Sequence, residues 1–96
     1  MLSTDEDKYP TDEALTRIEQ WSHKDGFRAL MNQVKAIWTY ADAGYWTEKG
    51  TEIHASTAGW SGNESIIGAL QRNHIFWALC WVQSRRGGHY IFEVKS

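Results

Sequence analysis

Between Phe27 and Ala41 the apolar residues Phe27, Leu30, Met31, Val34, Ile37, Trp38 and Ala41 recur at steps of three and four. That spacing lines one face of an α-helix. A stripe of this length cannot be left in water, so the chain must supply a second layer to cover it. With 96 residues, it has room for one core and not for two.

A shorter helix is predicted just before this one. Thr11 is a good N-cap, Asp12 and Glu13 suit the positive end of the helix dipole, and Ala14, Leu15, Ile18 and Trp21 share one stripe. The helix runs from about Asp12 to Ser22. His23 and Lys24 then link it to Asp25, which is read as the N-cap of the long helix, and the pair makes an αα-hairpin ending before Gly44. Tyr45 to Thr47 and Thr51 to Thr57, joined through Glu48, Lys49 and Gly50, have the look of a β-hairpin. Ser61 and Glu64 have capping-box spacing and open a third helix carrying Ile66, Ile67 and Leu70, with a left-handed stop near Asn73. The run Ile75 to Val82 is apolar throughout, so periodicity alone fits helix or strand. Its aromatic content favours a strand, paired with His89 onward across a two-residue Gly87-Gly88 turn of positive φ. An even turn puts Leu79, Trp81 and Gln83 on the same face as Tyr90, Phe92 and Val94. The expected fold is α+β, in the order α-α-β-β-α-β-β, with a mainly antiparallel four-stranded sheet and helices on one face.

Six Trp, four Tyr and three Phe are many for this length, although the apolar fraction of 42% is ordinary. Most of these rings are expected in the core, with a surplus for a ligand platform or a subunit interface. A homodimer or other closed homo-oligomer is the expected state. The formal charge is −2, and it is unevenly spread. Asp5, Glu6, Asp7, Asp12 and Glu13 against Lys8 give −4 up to Glu13, leaving +2 on the rest. Neither value suits general nucleic-acid binding. Residues 1–10 read as an acidic, flexible tail and 11–96 as a single domain. Cys80 is the only cysteine, which rules out an internal disulfide and a cysteine-based zinc site, and its apolar context suits a small core residue. No apolar run approaches the ~20 residues of a membrane span, so no membrane association is expected and the cytoplasm is the expected location.

The segment from Ser84 to Tyr90 bears the most pointed chemistry. Arg85 and Arg86 offer planar donor forks, two glycines expose amides, and His89 and Tyr90 add a donor and a stacking ring, a set suited to phosphate or carboxylate. It is equally a soluble hairpin tip. Gly59 to Glu64 leads into a helix N-terminus, an anion-friendly place, but lacks the lysine and spacing of a phosphate loop. If the two segments meet, Trp60, Asn63, Arg85, Arg86 and His89 line one pocket. His23, His54, His74 and His89 follow no metal-ligand spacing, so neither metal nor cofactor is expected. Ser61 or Ser84 with His89 and Glu64 could be assembled into a hydrolase trio, but no nucleophile elbow supports it.

The wording Gly59-Trp60-Ser61-Gly62-Asn63-Glu64, followed by Phe76-Trp77, Trp81 and Ser84 to Glu93, resembles small, functionally uncharacterised proteins encoded by tailed bacteriophages and prophages. The resemblance implies a short accessory protein working in the cytoplasm of a host bacterium, of a kind that often antagonises host defence. The expected function is binding of a small anionic, nucleotide-type ligand. In that reading Arg85 and Arg86 clamp phosphate, Asn63 and His89 hydrogen-bond, and Trp60 and Tyr90 stack on a base. The alternatives are an inhibitor that docks on a host defence protein complex, in the manner of an anti-CRISPR protein, and a small hydrolase.

Overall fold

The computed structural model describes residues 2–95; Met1 and Ser96 lie outside them. The order is α1 (Asp12–Gln20), α2 (Phe27–Ile37), β1 (Trp46–Lys49), β2 (Glu52–Ser56), α3 (Ser61–Arg72), α4 (His74–Cys80), β3 (Trp81–Arg85) and β4 (His89–Glu93). Short 3-10 turns at His23–Asp25 and Ala41–Ala43 flank α2. The strands form one antiparallel sheet in the order β1-β2-β4-β3, so the predicted α+β architecture holds. No helix among the described residues is long and apolar enough to cross a membrane.

Pairing fixes which residues share a face. Trp46, Ala55 and Tyr90 align across the sheet, as do Ile53 and Phe92; this face packs under the helices. Their partners in the core are Ile18, Leu30, Met31, Val34, Ile66, Leu70 and Phe76, all essentially without solvent contact. The opposite face carries Thr47, His54, Ile91, Arg85 and His89. Thr11 caps α1 as expected, accepting from the Ala14 amide. Gly26 with φ +81, rather than Asp25, precedes α2, because Asp25 is taken into the 3-10 turn.

Five local expectations are corrected. Ile75 to Val82 is not one strand: α4 takes it as far as Cys80, and β3 begins at Trp81. Asn73 decides this. Its Oδ1 accepts from the Phe76 amide and starts α4, while its Nδ2 donates to the carbonyls of Ile18 and Trp21. Asn73 also closes α3, at φ −81 rather than in the left-handed region.

The β3–β4 turn holds three residues, Arg86-Gly87-Gly88, between the paired Arg85 and His89. A bulge lies between Trp81 and Gln83, where one extra residue, Val82, enters the ladder. Trp81 shares a face with Phe92 as expected and pairs with it, but Gln83 opposes Ile91 on the other face and Ser84 takes the place opposite Tyr90. Both turn glycines have positive φ.

No capping box forms at α3. Ser61 lies inside the helix, and its hydroxyl meets the Tyr9 hydroxyl at 2.9 Å.

The N-terminal segment is not a free tail. Leu2 and Pro10 are buried, Thr4 bridges to Pro10, and the Thr11 amide donates to the Ser3 carbonyl. Tyr9 stacks on Trp60 with ring centroids 5.2 Å apart. Its acids remain exposed, so charge sits outside while Leu2 joins the core.

Candidate functional site: the loop end of the sheet

Three connections meet at one end of the sheet: residues 38–45, residues 57–60 and residues 86–88. Backbone bonds tie them together. The Ser56 amide donates to the Tyr45 carbonyl at 2.9 Å and the Thr57 amide to the Gly88 carbonyl at 3.0 Å. Two of the non-glycine residues with positive φ, Tyr40 and Ala58, lie in these connections. Left-handed backbone costs a non-glycine residue about 1 kcal/mol or more, and such strain collects where surroundings over-determine a loop.

Thr57, just before the Gly59–Glu64 segment, meets Gly88, but the expected side chains Trp60 and Asn63 do not line a cleft with Arg85 and His89. Asn63 has no solvent contact. Its Oδ1 accepts from the Thr39 amide at 2.9 Å, and its Nδ2 donates to the carbonyls of Thr39 and Thr57. Both side-chain polar atoms bond within the fold and Asn63 has no exposed surface, so it is a buried brace between loops and not a ligand contact.

Trp60 is occupied on its own side of the molecule. Tyr9 covers its face, the Tyr40 ring meets it edge-on at 6.5 Å, and Gly62 lies against its indole. Tyr90 packs with Trp77 and Phe92 under the helices, so its ring does not stack on the outer face. Arg86 is exposed at the turn.

Arg85 and His89 do come together. With Gly44, Tyr45, Thr47, His54, Ala55, Ser56, Tyr90 and Ile91 they line an open cleft of about 280 Å³, although the Tyr90 ring itself turns to the helix side. Antiparallel register explains the grouping, because Arg85 opposes His89, His89 opposes Ser56, and Ile91 opposes His54, which opposes Thr47. Ile91 is buried and forms an apolar floor. His54 Nε2 lies 2.6 Å from Glu52 Oε1, which orients the ring and leaves Nδ1 for another partner. Among the described residues neither Arg85 nor Arg86 has an ion-pair partner. Arg85 Nη2 donates to Gln83 Oε1 at 3.5 Å.

Tyr45 and His54 were not foreseen as site residues. The signal available was the alternation in Glu52 to Ser56, which puts His54 opposite in facing to Ile53 and Ala55. The sheet order was needed to set it beside His89.

The hydrolase trio is not assembled. Ser61 bonds Tyr9, and Ser84 accepts from Trp81 Nε1 at 2.9 Å; neither bonds His89. Among the described residues no three His, Cys, Asp or Glu side chains are grouped to hold a metal ion. No protein-family model, curated protein or solved structure matches the chain.

Proposed function

We propose that this is a non-catalytic binding protein that holds a compact anionic group, of the phosphate or carboxylate class, at the loop end of its sheet. One observation carries the reading: Arg85, His54 and His89 border a single cleft floored by Ile91, and among the described residues Arg85 has no carboxylate partner. A guanidinium fork matches two oxygens of such a group, and imidazole nitrogens add further donors. The cleft is smaller than the ~300–1,000 Å³ typical of drug-sized sites, which suits a phosphate or a small monoester better than a large cofactor. Tyr45 at the rim replaces Trp60 as the ring for stacking on an attached base. A role in sequestering a nucleotide signal in a phage-infected cell follows from this chemistry together with the sequence resemblance.

Calorimetric titration with orthophosphate, adenosine monophosphate and acetate tests the reading. Saturable binding of a phosphate-bearing probe is expected, with Arg85→Gln weakening it about tenfold or more, the scale of a lost charge-assisted pair. His89→Ala should weaken it less, and Asn63 variants that stay folded should bind unchanged. Absence of binding by all three probes, or binding indifferent to Arg85, overturns it.

A further inference from the structure

A helix that is apolar all the way round is expected to be covered all the way round. Helix α4 has that character, yet only half of it is covered. Phe76 and Cys80 point into the core, while Ile75 and Leu79 are 55% and 67% exposed. Ala78 between them is exposed as well. Trp81 and Val82, at the start of β3, continue the strip at 41% and 49%. Ile75, Ala78 and Leu79 follow the spacing of one helical stripe, and no charged residue interrupts the chain from Ile75 to Val82.

A hollow of about 560 Å³ adjoins this ridge, lined by Phe27, Leu79, Cys80, Trp81, Val82 and Val94 with Glu93 and Lys95 at its rim. Ridge and hollow thus belong to one patch, at the opposite end of the sheet from Arg85 and His89.

We propose that this patch is a self-association surface on which a second copy of the chain packs about a two-fold axis. Three features favour a second copy over another partner. A two-fold interface must be complementary to itself, and a patch that carries both a protrusion and an adjoining cavity meets that condition in shape. It also meets it in charge. Glu93 and Lys95 are opposite in sign, lie 3.8 Å apart at their charged atoms and are both substantially exposed, so either can face the other's counterpart across the axis without like-charge contact. Third, the bulge at Val82 breaks the regular ladder of the exposed edge strand β3, and bulged edges are poor templates for an added strand. That disfavours an extended peptide as the occupant and favours side-chain packing by a folded surface. A standard interface takes about 800 Å² from each partner, roughly a seventh of the 5750 Å² this chain exposes. The ridge alone is too small for that, so the hollow and its charged rim are part of the contact.

This inference is independent of the anion cleft, and its failure would leave that reading intact. Sedimentation of the full chain from micromolar to several hundred micromolar should give a mass rising toward twice 11.1 kDa. Leu79→Glu should hold the chain monomeric over the same range, weakening association about tenfold or more, as loss of a hot spot does. Val82→Lys, in an exposed strand, provides the same reading should Leu79→Glu fail to fold. Glu93→Lys and Lys95→Glu should each weaken the dimer and together restore it. A wild-type monomer at every concentration, a dimer that persists in both apolar-to-charged variants, or no rescue by the double reversal overturns the proposal.

Discussion

Thr57 and Gly88 are locked to each other at the loop end of the sheet. The Thr57 amide donates to the Gly88 carbonyl, Gly88 has φ +80, and a Cβ placed on Gly88 would overlap Thr57 Oγ1. Two turns far apart in sequence are pressed together at a point where only glycine fits.

Gly88→Ala should therefore be costly on two grounds, strained backbone and steric overlap. A loss of about 2–3 kcal/mol is expected in urea unfolding. Gly87→Ala shares the positive φ but would meet only the His89 ring at ordinary contact distance, so about 1 kcal/mol is expected there. Equal losses in the two variants would mean that the Thr57 contact is not the cause.

Asn63 gives a prediction with a pH signature. Asn63→Asp replaces the Nδ2 donor with an oxygen facing the carbonyls of Thr39 and Thr57. A protonated carboxyl can still donate to one of them, whereas a carboxylate is buried against oxygen. The folded state therefore holds its proton more tightly than the unfolded chain, and the variant should lose stability as pH rises above the usual aspartate range near 4. At neutral pH a penalty of about 2–4 kcal/mol is expected in thermal or urea melts. A penalty that does not change between pH 4 and pH 7, conditions set by the ordinary carboxyl titration, would contradict the assigned orientation of the amide.

Leu2 should contribute to stability despite its place in a polar, acidic segment. Leu2→Ala is expected to cost about 2 kcal/mol, the scale of an apolar side chain removed from a core. In a domain of this size that shifts the melting midpoint by on the order of ten degrees. Removing residues 1–8 should cost at least as much, and a truncated chain that melts with the full one would show Leu2 to be idle.

Cys80 offers a chemical test of packing. Burial pushes its thiol from the ordinary 9.0 up to about 11, so the native side chain is a neutral thiol at pH 7. Reaction with a thiol-specific disulfide reagent should be slow in the native state and fast in denaturant. Because the folded value is the higher one, this group's contribution is intact below pH 9.0 and declines as pH rises toward about 11. Native labelling as fast as that of the unfolded chain would place Cys80 outside the core.

The helices were legible in the sequence where polarity alternated with apolar residues. Thr11, Ile18 and the stripe from Phe27 each marked a boundary or a face, although the stripe predicts helix to Ala41 whereas α2 stops at Ile37 and Ala41 lies in a separate 3-10 turn. The stretch from Ile75 to Val82 was not, because its local pattern has no polar side to orient it. What resolves it is Asn73, through bonds to Ile18 and Trp21 more than fifty residues away, and no local rule contains them. The acidic tail misled for a related reason: one buried Leu2 outweighs the surrounding charge, which stays in water. At the site, Arg85 and His89 could be found because they flank glycines. Asn63 and Trp60 sit in an equally suggestive segment, but their side chains turn inward to Thr39 and Tyr9. Chain position says little about that choice.

Asn73 has one more consequence. Its buried side-chain amide caps α4 and fastens the end of α1, while its backbone N–H closes α3, so the three helices are tied at one residue. Amide protons throughout α4 should exchange with solvent only when the whole domain opens, although this seven-residue helix is too short to persist alone. The outward ridge of Ile75 and Leu79 is thus presented on a frame that needs no ordering before contact, and a rigid surface of that kind loses little entropy when it is covered.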